Sequence, residues 1–207
     1  MPSHSVIDSM PAMVADASAV ISLVASGAAR ELLGGLPSVL RVPKVVVQEL
    51  ETGRSKWTTS DSLALLIADG CIEVVELDEA GSDHFESLVV GSAVDTLDDG
   101  EAATIAYALT SGSVAIIDER KACRICEERF PHLVVQSAVS LLTGTVAERV
   151  LGGTGVGDAL FNALTSGRMR VRLQDVERVI AIIGPERVAQ CTSLPSRARL
   201  DAQRLAG

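Results

Sequence analysis

Five short apolar runs constrain what this chain can fold into. They read AMVA from Ala12, SVLRV from Ser38, CIEVVEL from Cys71, SVAII from Ser113 and LVVQ from Leu133. Stretches with helical spacing separate them: ASAVISLVASGAARELLGG, SDSLALLIADG, GEAATIAYALTSG and ERKACRICEERF. Strands that alternate with helices return through those helices and pair in parallel. The expected fold is α/β, three layers deep, with a central, mostly parallel five-stranded sheet between helices. Gly34, Gly35, Gly70 and Gly112 fall where helices should stop.

The 207 residues suffice for one domain with a substantial core. The chain is 47% hydrophobic and only 2% aromatic, so Ala, Val, Leu and Ile must fill that core. A mean hydropathy of +0.32 raises the question of a membrane. No uninterrupted apolar run reaches the roughly 18 residues that a span needs. The opening MPSHSVIDSM lacks the basic patch of a secretory leader. These features lead us to expect a soluble, cytoplasmic protein. The four cysteines, Cys71, Cys123, Cys126 and Cys191, have no disulfide-framework spacing and read as reduced thiols. A net charge of -9 argues against a broad basic face for nucleic acid. It leaves room for a metal-dependent nuclease, whose acids are offset by cations at the site.

One stretch, VPKVVVQELETG, has two readings. Its β-branched triplet favours a strand, whereas Pro43 and Gly53 suit the two ends of a helix. We read the strand as ending at Pro43 and a helix as running to about Thr52. On that helix Val45, Val46 and Glu49 share a face, so Glu49 points the way the core residues do. Further along, SAVSLLTGTVAERVLGG, GVGDALFNALTSG and RLQDVERVIAIIG read as three helices, the first two joined by GGTGVG. The domain is expected over 1–184. From Pro185 to Gly207, Pro195 and scattered arginines predict a partly disordered tail.

The acids are the chemical signal. Asp16 and Asp118 close two apolar runs, at the sheet edge where parallel folds bind ligands. Glu49 follows a third run. Glu101 opens a helix after the acidic DTLDDG, with Ile105 one turn on. Taken singly, any of these acids is explained as a helix cap; Asp98 and Asp99 fit that role. Together, four carboxylates brought to one edge would repel and raise each other's pKa. A hard divalent cation relieves that repulsion, and the chemistry that follows is phosphodiester hydrolysis.

VADASAVISLVASG, VPKVVVQELETG, GCIEVVEL, LDDGEAATIAYAL and AIIDERKACRIC resemble, in that order, the successive blocks of PIN-domain proteins. The likeness covers about residues 12 to 170. It is nearest to a prokaryotic group similar to VapC-type toxins, with a G-E-x-x-A-I-x-x-A block, here Gly100 to Ala108. The resemblance implies a PIN-like fold and a Mg²⁺- or Mn²⁺-dependent ribonuclease. By the same likeness Asp16, Glu49, Glu101 and Asp118 are catalytic, with Asp16, Glu101 and Asp118 on the metal. Ser18 matches a small hydroxyl residue near the metal. Arg124 stands where the family carries a basic pair for substrate, although Cys123 precedes it here.

Other signals are weaker. Cys123 and Cys126 form a CxxC, but His4, His84 and His132 are scattered and no second pair exists, so small buried residues explain the thiols better than zinc or redox use. GGTGVG lacks the Lys-Ser/Thr of a phosphate loop. Trp57 sits in a stretch that reads as an exposed loop, where it would stack on a base or cover the core edge. Arg120, Lys121 and Arg124 either meet phosphate or pair with Glu127 and Glu128.

The resulting expectation is an endoribonuclease, the toxin of a toxin–antitoxin pair. The rival is a catalytically weak PIN-like module that binds a protein or RNA partner. A flavodoxin-like nucleotide binder lacks its glycine-rich turn after the first strand. Val20, Leu23, Val24, Leu63, Leu65, Leu66 and Ile67 offer more apolar surface than one sheet face buries. That excess predicts a homodimer, and an antitoxin whose basic segment reaches Asp16 and Asp118.

Overall fold

A computed structural model describes residues 11–52 and 56–206. Its centre is a five-stranded sheet in the order β3-β2-β1-β4-β5. The strands are β1 (Met13–Ala15), β2 (Leu40–Pro43), β3 (Ile72–Val75), β4 (Val114–Ile116) and β5 (Val135–Gln136). Every pairing is parallel, and each strand falls on one of the five apolar runs, β2 running one residue past its run to Pro43. Met13 of β1 is in register with Leu40 on one side and Val114 on the other.

Strand alternation divides the core in two. Met13, Ala15, Leu40, Val42, Ile72, Val114 and Ile116 enter one cluster, and Val14, Ala115 and Ile117 enter the other. A sheet buried on both faces needs helices on both. In chain order these are α1 (Ala17–Ala25), α2 (Ala29–Gly34), α3 (Lys44–Thr52), α4 (Lys56–Ala68), α5 (Glu79–Val89) and α6 (Asp99–Ser111). Then come α7 (Arg120–Arg129), α8 (Ala138–Leu142), α9 (Thr145–Thr165), a 3-10 turn (Leu173–Asp175), α10 (Val176–Ile183), α11 (Pro185–Val188) and α12 (Ser196–Ala206). α5, α6 and α7 supply Leu88, Ile105, Ala122 and Ile125 to the smaller cluster. The larger cluster takes Leu23 of α1, Val46 of α3, Leu63 of α4 and Leu160 of α9. The fold is a three-layer α/β/α sandwich.

The VPKVVVQELETG stretch divides at Pro43 as expected: β2 ends there and α3 begins at Lys44. Several elements differ from the sequence expectation. The first helical run breaks at Gly27, whose φ of 74° starts a new direction into α2. The run after β5 breaks at Gly144, where a side chain would meet the Ser140 carbonyl at 2.9 Å. GGTGVG is a kink rather than a loop: within α9 two helical stretches meet at Gly152, which is non-helical with φ 67° and ψ 172°. α5 was unforeseen because its apolar residues are few; Asp78 caps it by accepting from the Gly81 N–H at 2.7 Å. Trp57 belongs to the first turn of α4, not to a loop, and its side chain lies outside the described residues, as do the first ten residues with His4.

Four of the seven apolar residues offered for a partner are used up at home. Val20, Leu23, Leu63 and Leu66 are buried within the chain, while Leu65 is 62% exposed. Among the described residues no helix is long and apolar enough to cross a membrane. The segment from Pro185 carries α11 and α12, joined by turns over 189–195, and places Val188, Cys191, Leu194 and Ala202 in the larger cluster.

That packing makes a prediction. A chain ended at Gly184 leaves the partners of Val188, Cys191 and Leu194 open to water, and its thermal midpoint is expected to fall. The scale is about 2–4 °C for each kcal/mol lost in a chain of this size. An unchanged midpoint in a melting scan would show that 185–207 is dispensable to the fold.

Candidate functional site

The site starts where β1 stops. The Asp16 N–H donates to the Ile116 carbonyl at 3.3 Å, extending the β1–β4 ladder by one rung. The Asp16 side chain then caps α1, with Oδ1 accepting from the Ala19 N–H at 2.7 Å. The Ser18 hydroxyl lies 3.0 Å from each carboxyl oxygen and donates to that carboxyl. Asp16 is therefore a cap, as the simplest reading of the sequence held, and it is 3% exposed. Burial pushes its pKa up to about 7; the bonds from Ala19 and Ser18 pull it down, and Asp118 and Glu49 push it further up. A cap on a helix N-terminus favours the charged form. Here desolvation and neighbouring negative charge outweigh it.

Asp118 follows β4 and is 4% exposed. Both its carboxyl oxygens face the Ala138 N–H, at 3.1 and 3.2 Å, so it holds the start of α8 from outside. Burial pushes Asp118 up to about 6, opposed by the Ala138 N–H and by Arg172. Ser137, the N-cap of α8, donates to Asp175 at 3.0 Å, and Asp175 adds to the negative potential on Asp118.

Glu49 of α3, expected to point with the core residues, is exposed, but its carboxylate reaches the first turn of α6, where Glu101 is half-buried. Burial first, then Asp98 and Asp99, raise the pKa of Glu49. A Cβ built on Gly100 would lie 2.5 Å from Glu49 Oε2, so glycine is what lets α3 place a carboxylate against the first turn of α6. Glu101 is pushed up to about 7 by burial, then by Glu119, Asp98 and Asp16, and is lowered by a hydrogen bond from the Asp98 backbone. Asp98 occupies the N-cap position of α6 without a side-chain cap bond. Glu101 closes that end instead, in the manner of the back-reaching half of a capping box.

Asp16 links the group: it feels Asp118 and Glu49, and Glu101 feels it. The donors are all oxygens and their negative charge is poorly compensated, which suits a hard divalent cation in kind. Among the described residues no three His, Cys, Asp or Glu side chains are gathered as a ready metal site. The acids meet in pairs around Asp16 rather than about one point.

Arg124 is placed differently from the reading that gave it to substrate. Its Nη1 donates to Glu128 at 2.8 Å and its Nη2 to the Val94 carbonyl at 2.9 Å, so it ties α7 to the loop before α6. Sequence reasoning missed Arg170 and Arg172. Arg172 donates to the Ile117 carbonyl, and its Nε stands 4.0 Å from Asp118 Oδ1. Arg170 faces Glu119 at 3.9 Å. Glu119, the N-cap of α7, and Asp175 were missed as well. Glu119 stands next to Asp118 in AIIDERKACRIC and could have been read there; Arg170, Arg172 and Asp175 lie outside the five blocks, where RMRVR, a basic alternation after a long helix, was the signal for the arginines. The CxxC thiols are ill suited to metal or exchange chemistry, since burial pushes Cys126 up to about 12 and away from the thiolate both require.

Fold and site together define a parallel α/β/α domain whose carboxyl edge is acidic. A family model described as a PIN domain matches residues 12–184. The chain belongs to the PIN-domain family, a family of nucleases in general. No curated protein and no solved structure gives a significant match.

Two predictions follow from the geometry. The folded pKa values of Asp16, Glu101 and Asp118 lie above ordinary carboxylate values, so between about pH 4 and 7 the folded chain binds more protons than the unfolded one. Metal-free stability is therefore expected to fall as pH rises from 5 to 7.5, and Asp16→Asn to flatten the fall; urea midpoints across that range measure it. Gly100→Ala is expected to leave the fold as stable or to gain up to about 1 kcal/mol from helix propensity. It should do so while pushing the Glu49 carboxylate off α6 and lowering activity, a split that urea melts and turnover read separately.

Proposed function

We propose that this PIN domain is a cytoplasmic endoribonuclease hydrolysing RNA phosphodiester bonds with Mg²⁺ or Mn²⁺, the toxin of a toxin–antitoxin pair of the VapC-like kind. The observation that carries the reading is that Asp16 and Asp118, both buried, and the half-buried Glu101 come together from three distant segments, with their pKa values pushed to about 6 to 7. Those three would hold the cation, and Glu49 would orient the attacking water. A bound divalent cation supplies Lewis-acid stabilisation of charge on a phosphate oxygen and makes water more acidic. Ser18 fixes the Asp16 carboxyl, and the Ala19 and Ala138 N–H groups keep Asp16 and Asp118 pointed along the edge. An antitoxin with a basic segment fits the same negative edge, and Leu65 on α4 is among the exposed apolar side chains that a second copy could cover in a homodimer.

A second reading, a PIN-like module that binds RNA or protein without cutting, draws on the pairwise rather than joint approach of the acids. Labelled single-stranded RNA incubated with and without Mn²⁺ separates the two. The nuclease is expected to cut with metal, and Asp118→Asn to slow cutting by at least on the order of 100-fold, the upper end for loss of a group supporting a metal. Divalent metal should also raise the melting temperature of the wild type by mass action, and much less that of Asp118→Asn. Equal stabilisation of both, with no cutting, leaves the binding module.

A further inference from the structure

A cavity of about 240 Å³ opens beside Asp118, between α7 and the 3-10 turn. Arg120, Arg124 and Arg172 line it against two acids, Asp118 and Glu127, with Leu173 among the other lining residues. Three cations to two acids leave the hollow net positive in a chain with a net charge of -9, and the cations are not equally occupied. Arg124 is spent on Glu128 and Val94. Arg120 makes no hydrogen bond or ion pair with any described residue and is exposed. Arg172 uses one nitrogen on the Ile117 carbonyl, while its Nε is buried without a hydrogen-bond partner, its charge facing Asp118 Oδ1 at 4.0 Å, beyond hydrogen-bond reach. A buried N–H left unmatched costs free energy unless something completes it.

The backbone delivers Arg172 to this place. α9 ends against α1 at Gly167, where a Cβ would lie 2.8 Å from the Ala163 carbonyl and from Ala25 Cβ. Arg168 then turns with a φ of 50°. Met169 donates to the Ala163 carbonyl at 3.0 Å and is buried, which anchors the strap. Val171 and Arg172 follow along the carboxyl edge, with the Arg172 side chain 18% exposed. A guanidinium held this way is positioned before any ligand arrives, so little rotamer freedom remains to be lost on binding.

We propose that this cavity is a phosphate subsite for the RNA chain, with Arg172 as the residue that touches a backbone phosphate next to Asp118 and Arg120 closing on it from the cavity mouth. The inference rests on the nuclease reading and deepens it: it gives the phosphate contact to the strap after α9 rather than to Arg124. An isolated phosphate matches the chemistry: planar N–H donors for oxygens, a volume fit for a phosphodiester and its sugar, and Leu173, 71% exposed, at the rim for an apolar base edge. A broad basic face is unnecessary, because the contact is local.

The test is metal-free binding of a fluorescein-labelled single-stranded RNA in EDTA, by anisotropy over a series of salt concentrations. Arg172→Gln and Arg120→Gln are each expected to weaken binding about tenfold and to lower the slope of log K against log salt by about 0.7, one phosphate contact on a single strand. Arg30→Gln makes the same charge change on α2, at the far end of α1 from Asp16, and should bind as wild type. Arg172→Lys keeps the charge and should recover part of the slope. Arg120→Gln removes no internal bond, so it remains informative if Arg172→Gln destabilises the fold. Unchanged affinity and slope in Arg120→Gln and Arg172→Lys, with Arg172→Gln either unchanged or unfolded, overturns the proposal. So does equal competition by an acidic peptide, which would make the cavity a reader of protein carboxylates. Arginine-dependent RNA binding without any Mn²⁺-dependent cutting upholds the subsite while removing the nuclease.

Discussion

Everything in this domain depends on β1 being a central strand. It is three residues long, buried throughout, and paired in parallel with β2 on one side and β4 on the other. A strand in that position has no free edge and no wet face. Whatever follows it must leave through the carboxyl edge of the sheet. Asp16 is the residue that follows. Its carboxyl is buried because the strand before it and the helix after it are buried, and not because burial suits an acid. The Ala19 N–H and the Ser18 hydroxyl make the position tolerable, and Asp118, coming off the neighbouring β4, makes it less so. The site is a local departure from minimum energy that the sheet imposes and the rest of the core sustains.

The same residues serve as caps and as candidate ligands, so the two explanations are not rivals. Asp16 caps α1, Asp118 supports α8, and Glu101 closes α6 through the Asp98 N–H. A carboxylate has about four lone-pair directions, and these bonds leave some unused. Capping fixes where each carboxyl points. The negative potential they share then gives the edge its affinity for positive charge, and Arg172 meets part of that demand from within the chain. Gly100 shows how tightly the arrangement is drawn, since a single methyl group would collide with the Glu49 carboxylate.

The strands and their order of chemistry were legible because a doubly buried parallel strand is a plain apolar run, and Pro43 marked the one ambiguous boundary. The ends of helices were less legible. Gly27 and Gly144 break runs whose side-chain periodicity continues across them, while of the glycines in GGTGVG Gly152 alone leaves the helical conformation, kinking α9 where the sequence suggested a loop. Glycine states what the backbone is free to do; packing decides whether it does. Asp16 and Asp118 could be placed from their positions after strands, and Glu101 from the acidic stretch that opens α6. Arg172 and Asp175 could not, because they reach the edge through a turn whose direction is set by Gly167 against Ala25 and by Met169 in the core, contacts with no local signature.

The placement of β1 also has a consequence for how the chain is made. The central strand is the first to be synthesised, but its two neighbours begin at Leu40 and Val114. Met13 to Ala15 therefore wait with one ladder unpaired until more than half of the chain has emerged. Closing that long loop is entropically slow, and an open parallel edge is adhesive meanwhile. The nascent chain carries Asp16 beside this edge throughout the wait. A buried acid that is a burden to the finished fold is, before the sheet closes, a charge that discourages another chain from completing it first.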